Sequence, residues 1–173
     1  MAYRLAGFVA AAALAGAGAA IAADGPTDPQ IAHIAYTAGN IDVAAAKQAL
    51  AKSHNKAVRE FASEMVRDHE AVNAKALALV KELKVTPEDN STSQALSKGA
   101  ADEAKTLAAL DGAAFDKAYV ANEIAFHKTV NGALQSTLIP SADNAQLKSL
   151  LETGLTLFSE HQMHAEHLAT ELK

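Results

Sequence analysis

Apolar residues recur at steps of three and four along most of this chain. One stripe runs Val58, Ala62, Met65, His69, Val72, Ala76, Leu79 and Leu83; a second runs Leu147, Leu151, Gly154, Phe158, His161, Ala165, Leu168 and Leu172. Such steps collect the residues on one face of an α-helix and set it against partner helices at a shallow crossing angle. No stretch sustains an alternation of period two, and Ala, Lys, Glu, Leu and Gln dominate, so no strand is predicted. The breaks are Ser53 to Asn55, the loop around Pro87, the Asp111-Gly112 turn and Pro140. They predict helices over residues 29–52, 56–84, 95–109 and 113–138, and a last one capped by Ser141 or Asp143 that runs to near Lys173. Four are long and one is short. The expected fold is all-α: a four-helix bundle, ferritin-like, with a short extra helix in the connection between helices 2 and 3 that runs along the bundle as a crossover.

The first residues change the picture of where this bundle resides. Arg4 is the only charge among residues 1–23, an apolar Ala-rich run follows to Ile21, and Ala20 and Ala22 form an A-x-A exit before Ala23 and Asp24. A basic start, an apolar middle and a small-residue exit predict a signal peptide over residues 1–23. A linker follows at 24–28, and the bundle occupies 29–173. The expected location is the periplasm or cell envelope, and the one route to a membrane is an uncleaved N-terminal segment. The chain has no cysteine, which excludes disulfides, lipid anchoring at a post-signal cysteine and haem attachment through C-x-x-C-H. Its net charge of −5, with no basic patch, argues against a nucleic-acid partner. An envelope protein is the partner class left open.

Candidate chemistry lies in histidines that interrupt apolar stripes. His69 and His161 stand on the two stripes above. Along Val120, Glu123, His127, Val130 and Leu134, Glu123 and His127 share a face one turn apart. A buried polar group without a partner costs about 1–3 kcal/mol. Inward imidazoles therefore either pair with carboxylates or tyrosines across the bundle, or converge on a metal. The di-iron signature of ferritins needs Glu-x-x-His on two helices. It is missing: Phe126, Arg67 and Met163 stand three residues after Glu123, Glu64 and Glu160. Histidine-rich ligation with methionine nearby suits copper or zinc better, and His161, Met163, His164 and His167 form a further candidate group. The expected metal ligands are drawn from His69, Glu123, His127, His161 and His164. A ruler of about 1.5 Å per residue places His69 and His127 at one depth. With the last turn at Pro140, the same ruler puts His161 roughly 13 Å away, in a separate layer with Tyr119 and Glu123. No glycine-rich phosphate loop, G-x-S-x-G or nucleophile–base pair is present, so no catalytic residue is assigned.

The stretch from Val58 to His69, read as Val58-Arg59-Glu60-Phe61-Ala62-Ser63-Glu64-Met65-Val66-Arg67-Asp68-His69, resembles the V-K-x-F-A-x-x-M-V-x-D-H motif of the domain-of-unknown-function family 4142. Gly112, Phe115-Asp116, Tyr119 and His127 resemble its G-x-x-F-D-x-x-Y…H segment, and His161 stands where the family carries a late histidine. The resemblance spans nearly all of residues 30–170. It implies a ferritin-like exported bundle, often labelled an outer-membrane protein, with Asp68, His69, Phe115, Asp116, Tyr119, His127 and His161 as signature positions. It implies no activity. Many members have a glutamate in the first helix where this chain has Asn40. The expectation from sequence is a non-enzymatic envelope protein binding a copper or zinc ion. Its rivals are a structural or stress-related protein with its histidines satisfied in the core, and a metal-dependent oxidoreductase.

Overall fold

The structure, a computed structural model, describes residues 25–172; the expected signal peptide at 1–23 lies outside them. Among the described residues the regular structure is helical: α1 (Asp28–Lys52), α2 (Lys56–Glu82), α3 (Ser91–Ala108), α4 (Gly112–Ala133), a π-helical turn (Leu134–Leu138), α5 (Ile139–Ser141) and α6 (Ala145–Glu171). The long helices α1, α2, α4 and α6 make the bundle, with α1 against α2 and α4, and α6 against α2 and α4.

The short helix is the crossover. Asn90 at its start donates from Nδ2 to the Gln30 carbonyl near the start of α1, and Lys52 at the end of α1 donates to the Ala108 carbonyl near its end. Hence α3 runs alongside α1 in the same direction and returns the chain to the end where α2 began. The bundle therefore has one long crossover connection. Gly112 opens α4 with φ of 56°, a left-handed backbone that glycine adopts without steric cost.

Side-chain amides set three of the starts. Asn55, Asn90 and Asn144 each accept from two backbone N–H groups of the first turn of α2, α3 and α6. Such bonds satisfy donors that the helix itself leaves unpaired. The Asn90 cap explains why α3 starts at Ser91 rather than at 95. The second correction concerns Pro140. It does not end the fourth helix, because the chain widens into the π turn, where the Ile139 N–H bonds the Leu134 carbonyl. A proline lacks the N–H that an α-helical turn would require of it, and the wider turn carries the helical path on to Ser141. The cap of the last helix is accordingly Asn144 instead of Ser141 or Asp143. The turn is tied across the bundle by Asp28, whose carboxylate accepts from the Asp143 and Asn144 N–H groups.

The apolar side chains form two separate clusters. One, at the α1–α2 turn, centres on Val58, Phe61, Met65, Leu107, Phe115, Tyr119, Val120 and Leu168. The other, at the α5 end, centres on Ile31, Ile34, Leu134, Leu138, Leu147 and Leu151. The positions between them on the same inward faces are polar: Asp42 on α1, His69 and Asn73 on α2, Glu123, His127 and Asn131 on α4, and His161 on α6 are all buried. This polar belt divides the core.

Replacing Asn144 by Ala removes both cap bonds of α6 and is expected to lower stability by about 1 kcal/mol. Urea unfolding of the variant checks this; a change under roughly 0.3 kcal/mol would mean that the cap is not what fixes the start of α6.

Candidate metal centre

Three of the four bundle helices bring an imidazole to the middle of the belt. The ring centroids of His69 and His127 are 5.7 Å apart, those of His69 and His161 5.3 Å, and those of His127 and His161 5.5 Å. Each residue offers a ring nitrogen, and these three atoms lie within 4.8 Å of one another. All three residues are at most 2 % exposed. The expectation of a separate His161 layer is therefore corrected. The ruler was set from Pro140, but α4 and α5 carry the chain to Ser141 and α6 begins at Ala145. His161 thus lies sixteen residues into α6 and His127 fourteen residues before Ser141, which puts them nearly level.

Each ring is held by a neighbour. His127 Nδ1 lies 3.0 Å from the Glu123 carbonyl oxygen. That oxygen can only accept, so Nδ1 carries the hydrogen, and a neutral ring then turns the lone pair of Nε2 inward. His161 Nε2 lies 3.1 Å from Asp68 Oδ2, which leaves Nδ1 as its free nitrogen. His69 stacks on Phe158 with centroids 4.6 Å apart and planes 10° apart. Its Nε2 is 3.2 Å from Asp42 Oδ2, and the same oxygen is 3.7 Å from His127 Nε2. The Asp42 contacts are close but poorly aligned for hydrogen bonding. His69 Nδ1 and Nε2, His127 Nε2, His161 Nδ1, Asp42 Oδ1 and Glu123 Oε2 are all buried without a hydrogen-bond partner.

Burial sets the protonation. It pulls His69 down to about 4, against the opposing attraction of Asp42 and with further help from the neighbouring imidazoles. It lowers His161 as well, opposed by its bond to Asp68. Burial and then the Asp42 carboxylate hold Glu123 well above the usual carboxylate range. Tyr119 is pushed up by burial and by Glu123. At neutral pH the centre thus presents uncharged His69 and His161 rings, the form that binds metal. Neutral imidazoles suit copper and zinc, and a carboxylate beside ligand histidines is the partner that usually orients them. The residues present fit such an ion.

The other expected ligands fall elsewhere. Glu123 is in the belt, with Oε2 3.6 Å from His127 Nδ1, on the side of that ring away from Nε2. Asp42, Glu123 and His127 form a second group whose offered atoms lie within 4.8 Å. His164 is not in the centre: it is exposed, bonds Glu64 Oε2 through Nδ1 at 2.7 Å and sits edge-on to Phe61. Met163 and His167 are exposed too, so of the late histidine group only His161 faces inward. Asp42 was missed from the sequence. Its signal was available in α1, where Ile31, Ala35, Ala38, Asp42, Ala45 and Ala49 follow steps of four and three with one carboxylate on the stripe. Asn40, at the family's glutamate position, is exposed and accepts from Asn73 Nδ2.

Because His69 stays neutral in the fold until about pH 4 but protonates near 6.5 when unfolded, only the unfolded chain binds that proton in between. Stability of the metal-free protein is thus full above about pH 6.5, falls as the pH drops, and levels off near 4, a loss of about 3 kcal/mol from this residue. Urea unfolding between pH 4 and 7 is expected to show the decline and His69→Gln to flatten much of it. An equally steep decline in the variant would assign it to other groups.

No curated protein matches the chain. A solved structure described as "CopM in the Cu(II)-bound form" superposes with a TM-score of 0.66 over 86 % of this chain and 99 % of that one, at 12 % sequence identity. At that identity the likeness is one of fold. The sequence profile of the family described as "Domain of unknown function (DUF4142)" matches residues 11–168, and the chain belongs to that family.

Proposed function

We propose that this protein is an exported metal-binding bundle that holds one copper or zinc ion on His69, His127 and His161, with Asp42 as the carboxylate that orients the ligands and balances charge. The observation that carries this reading is the set of unpartnered ring nitrogens. Histidines kept only as core residues would have their hydrogen-bonding atoms satisfied, because leaving one unmade costs about 1–3 kcal/mol. Here each ring has an unpartnered nitrogen. Those of His127 and His161 are the nitrogens left with lone pairs by the bonds on the opposite side. The Asp42 carboxylate, 3.7 Å from the His127 Nε2 lone pair, adds a negative charge that a cation would offset. The copper in the structurally similar bundle points the same way.

Export is supported by the N-terminal pattern of residues 1–23. No helix among the described residues is long and apolar enough to cross a membrane. The reading is of a carrier or store rather than an enzyme. The three rings are almost wholly buried, and Phe158 covers His69 on the side of the apolar cavity that opens among Ala38, Val72, Ala76, Val130 and Leu151. A substrate larger than an ion would not reach them.

Calorimetric titration of the purified protein with Cu(II) and with Zn(II) tests this. One equivalent is expected to bind, and a His69→Ala, His127→Ala, His161→Ala variant with unchanged helical circular dichroism to lose that binding. Retention of binding by the folded variant would return the three histidines to a structural role.

A further inference from the structure

His161 belongs to two constellations, and the second one reaches the surface. Glu64, Asp68 and His161 each offer a ligand atom, all within 4.8 Å of one another, and His164 joins them through its 2.7 Å bond to Glu64. The group grades outward. His161 is 2 % exposed, the Asp68 and Glu64 side chains are 17 % and 31 % exposed, and His164 is 45 % exposed. The His161 ring stands at the boundary: Nε2 faces Asp68 on the outer side, and Nδ1 is buried with no partner. We propose that Glu64, Asp68, His161 and His164 form an entry site that captures a divalent cation from solution and passes it to the inner cluster through His161, whose ring hydrogen moves from Nε2 to Nδ1 while the ion is held outside and returns to Nε2 as Nδ1 takes the ion inward. This rests on the reading of the inner cluster as a metal site.

Three features support it. The inner cluster is sealed, so an ion needs a route, and His161 is the ligand that shares a constellation with partly exposed carboxylates. The donor set has the right chemistry, since two carboxylates and two imidazoles accept a divalent ion and give it up more readily than a buried site with fixed geometry does. A cation already stands there: the Arg67 guanidinium bonds both Asp68 oxygens at 2.7 and 2.9 Å and lies 3.7 Å from Glu64. The Arg67 side chain, 68 % exposed, has solvent to swing into. Arg67 is a placeholder that keeps the carboxylates together until a metal displaces it.

Stopped-flow loading of the metal-free protein with Zn(II), followed by displacement of a chromogenic chelator, tests the route. Carboxylates that concentrate a cation at a cleft raise on-rates by about tenfold or more, so Glu64→Gln with Asp68→Asn is expected to slow loading by that factor. Arg67→Gln is expected to speed it. Glu70→Gln, which removes a carboxylate of α2 paired with Lys47 of α1, is the charge control and is expected to load at the parent rate. If the parent protein binds Zn(II) tightly and the double variant loads as fast, the entry site is wrong and the inner cluster stands. If the parent protein binds Cu(II) but not Zn(II), the loading is read with Cu(II); if it binds neither, both fall together.

Discussion

Imidazole nitrogens without partners in the middle of a helical bundle are the constraint around which the rest of this structure is arranged. Each buried polar atom left unpaired works against folding, so the belt of Asp42, His69, Glu123, His127 and His161 draws its stability from elsewhere. The two apolar clusters that flank it supply that support. Phe61, Met65, Phe115 and Tyr119 pack one end, and Ile31, Leu134, Leu147 and Leu151 the other, so the belt is clamped from both sides. Phe158, stacked flat on His69, fixes one ring directly.

The electrostatics follow from the same burial. Low solvation keeps His69 and His161 uncharged and pushes Glu123 well above the usual carboxylate range beside Asp42. A cation entering the belt meets neutral rings at His69 and His161 rather than repelling imidazolium ions. It also meets a carboxylate in Asp42 that already touches two of them. The cost of burying these groups is what makes them ready to bind.

Much of this was legible in the sequence. The stripes through His69 and His161 have strong contrast, because Val, Met, Leu and Phe face in while Lys, Glu and Asp face out. The crossover followed from the short third helix between two breaks. Asp42 was harder to see, since α1 is Ala-rich on its exposed side as well and Ala44 is as apolar as the buried Ala46; on such a helix a single carboxylate does not stand out against the stripe. The shared depth of the three histidines was hidden by a proline. Pro140 reads as a helix end, whereas a π turn absorbs it and shifts the start of α6 by about one helical turn. The spacing of His164 from His161 suggests a shared face, but three residues on a helix fall about 60° short of a full turn, enough here to set the His164 ring against Glu64 on the outside.

The central claim is that one ion sits among three imidazoles inside the bundle. A crystal structure of the copper- or zinc-loaded protein, with anomalous differences measured at the metal edge, tests it most directly. The account predicts one strong peak at about 2.0–2.1 Å from ring nitrogens of His69, His127 and His161. A peak confined to the exposed histidines of α6, with the belt unchanged, would contradict it.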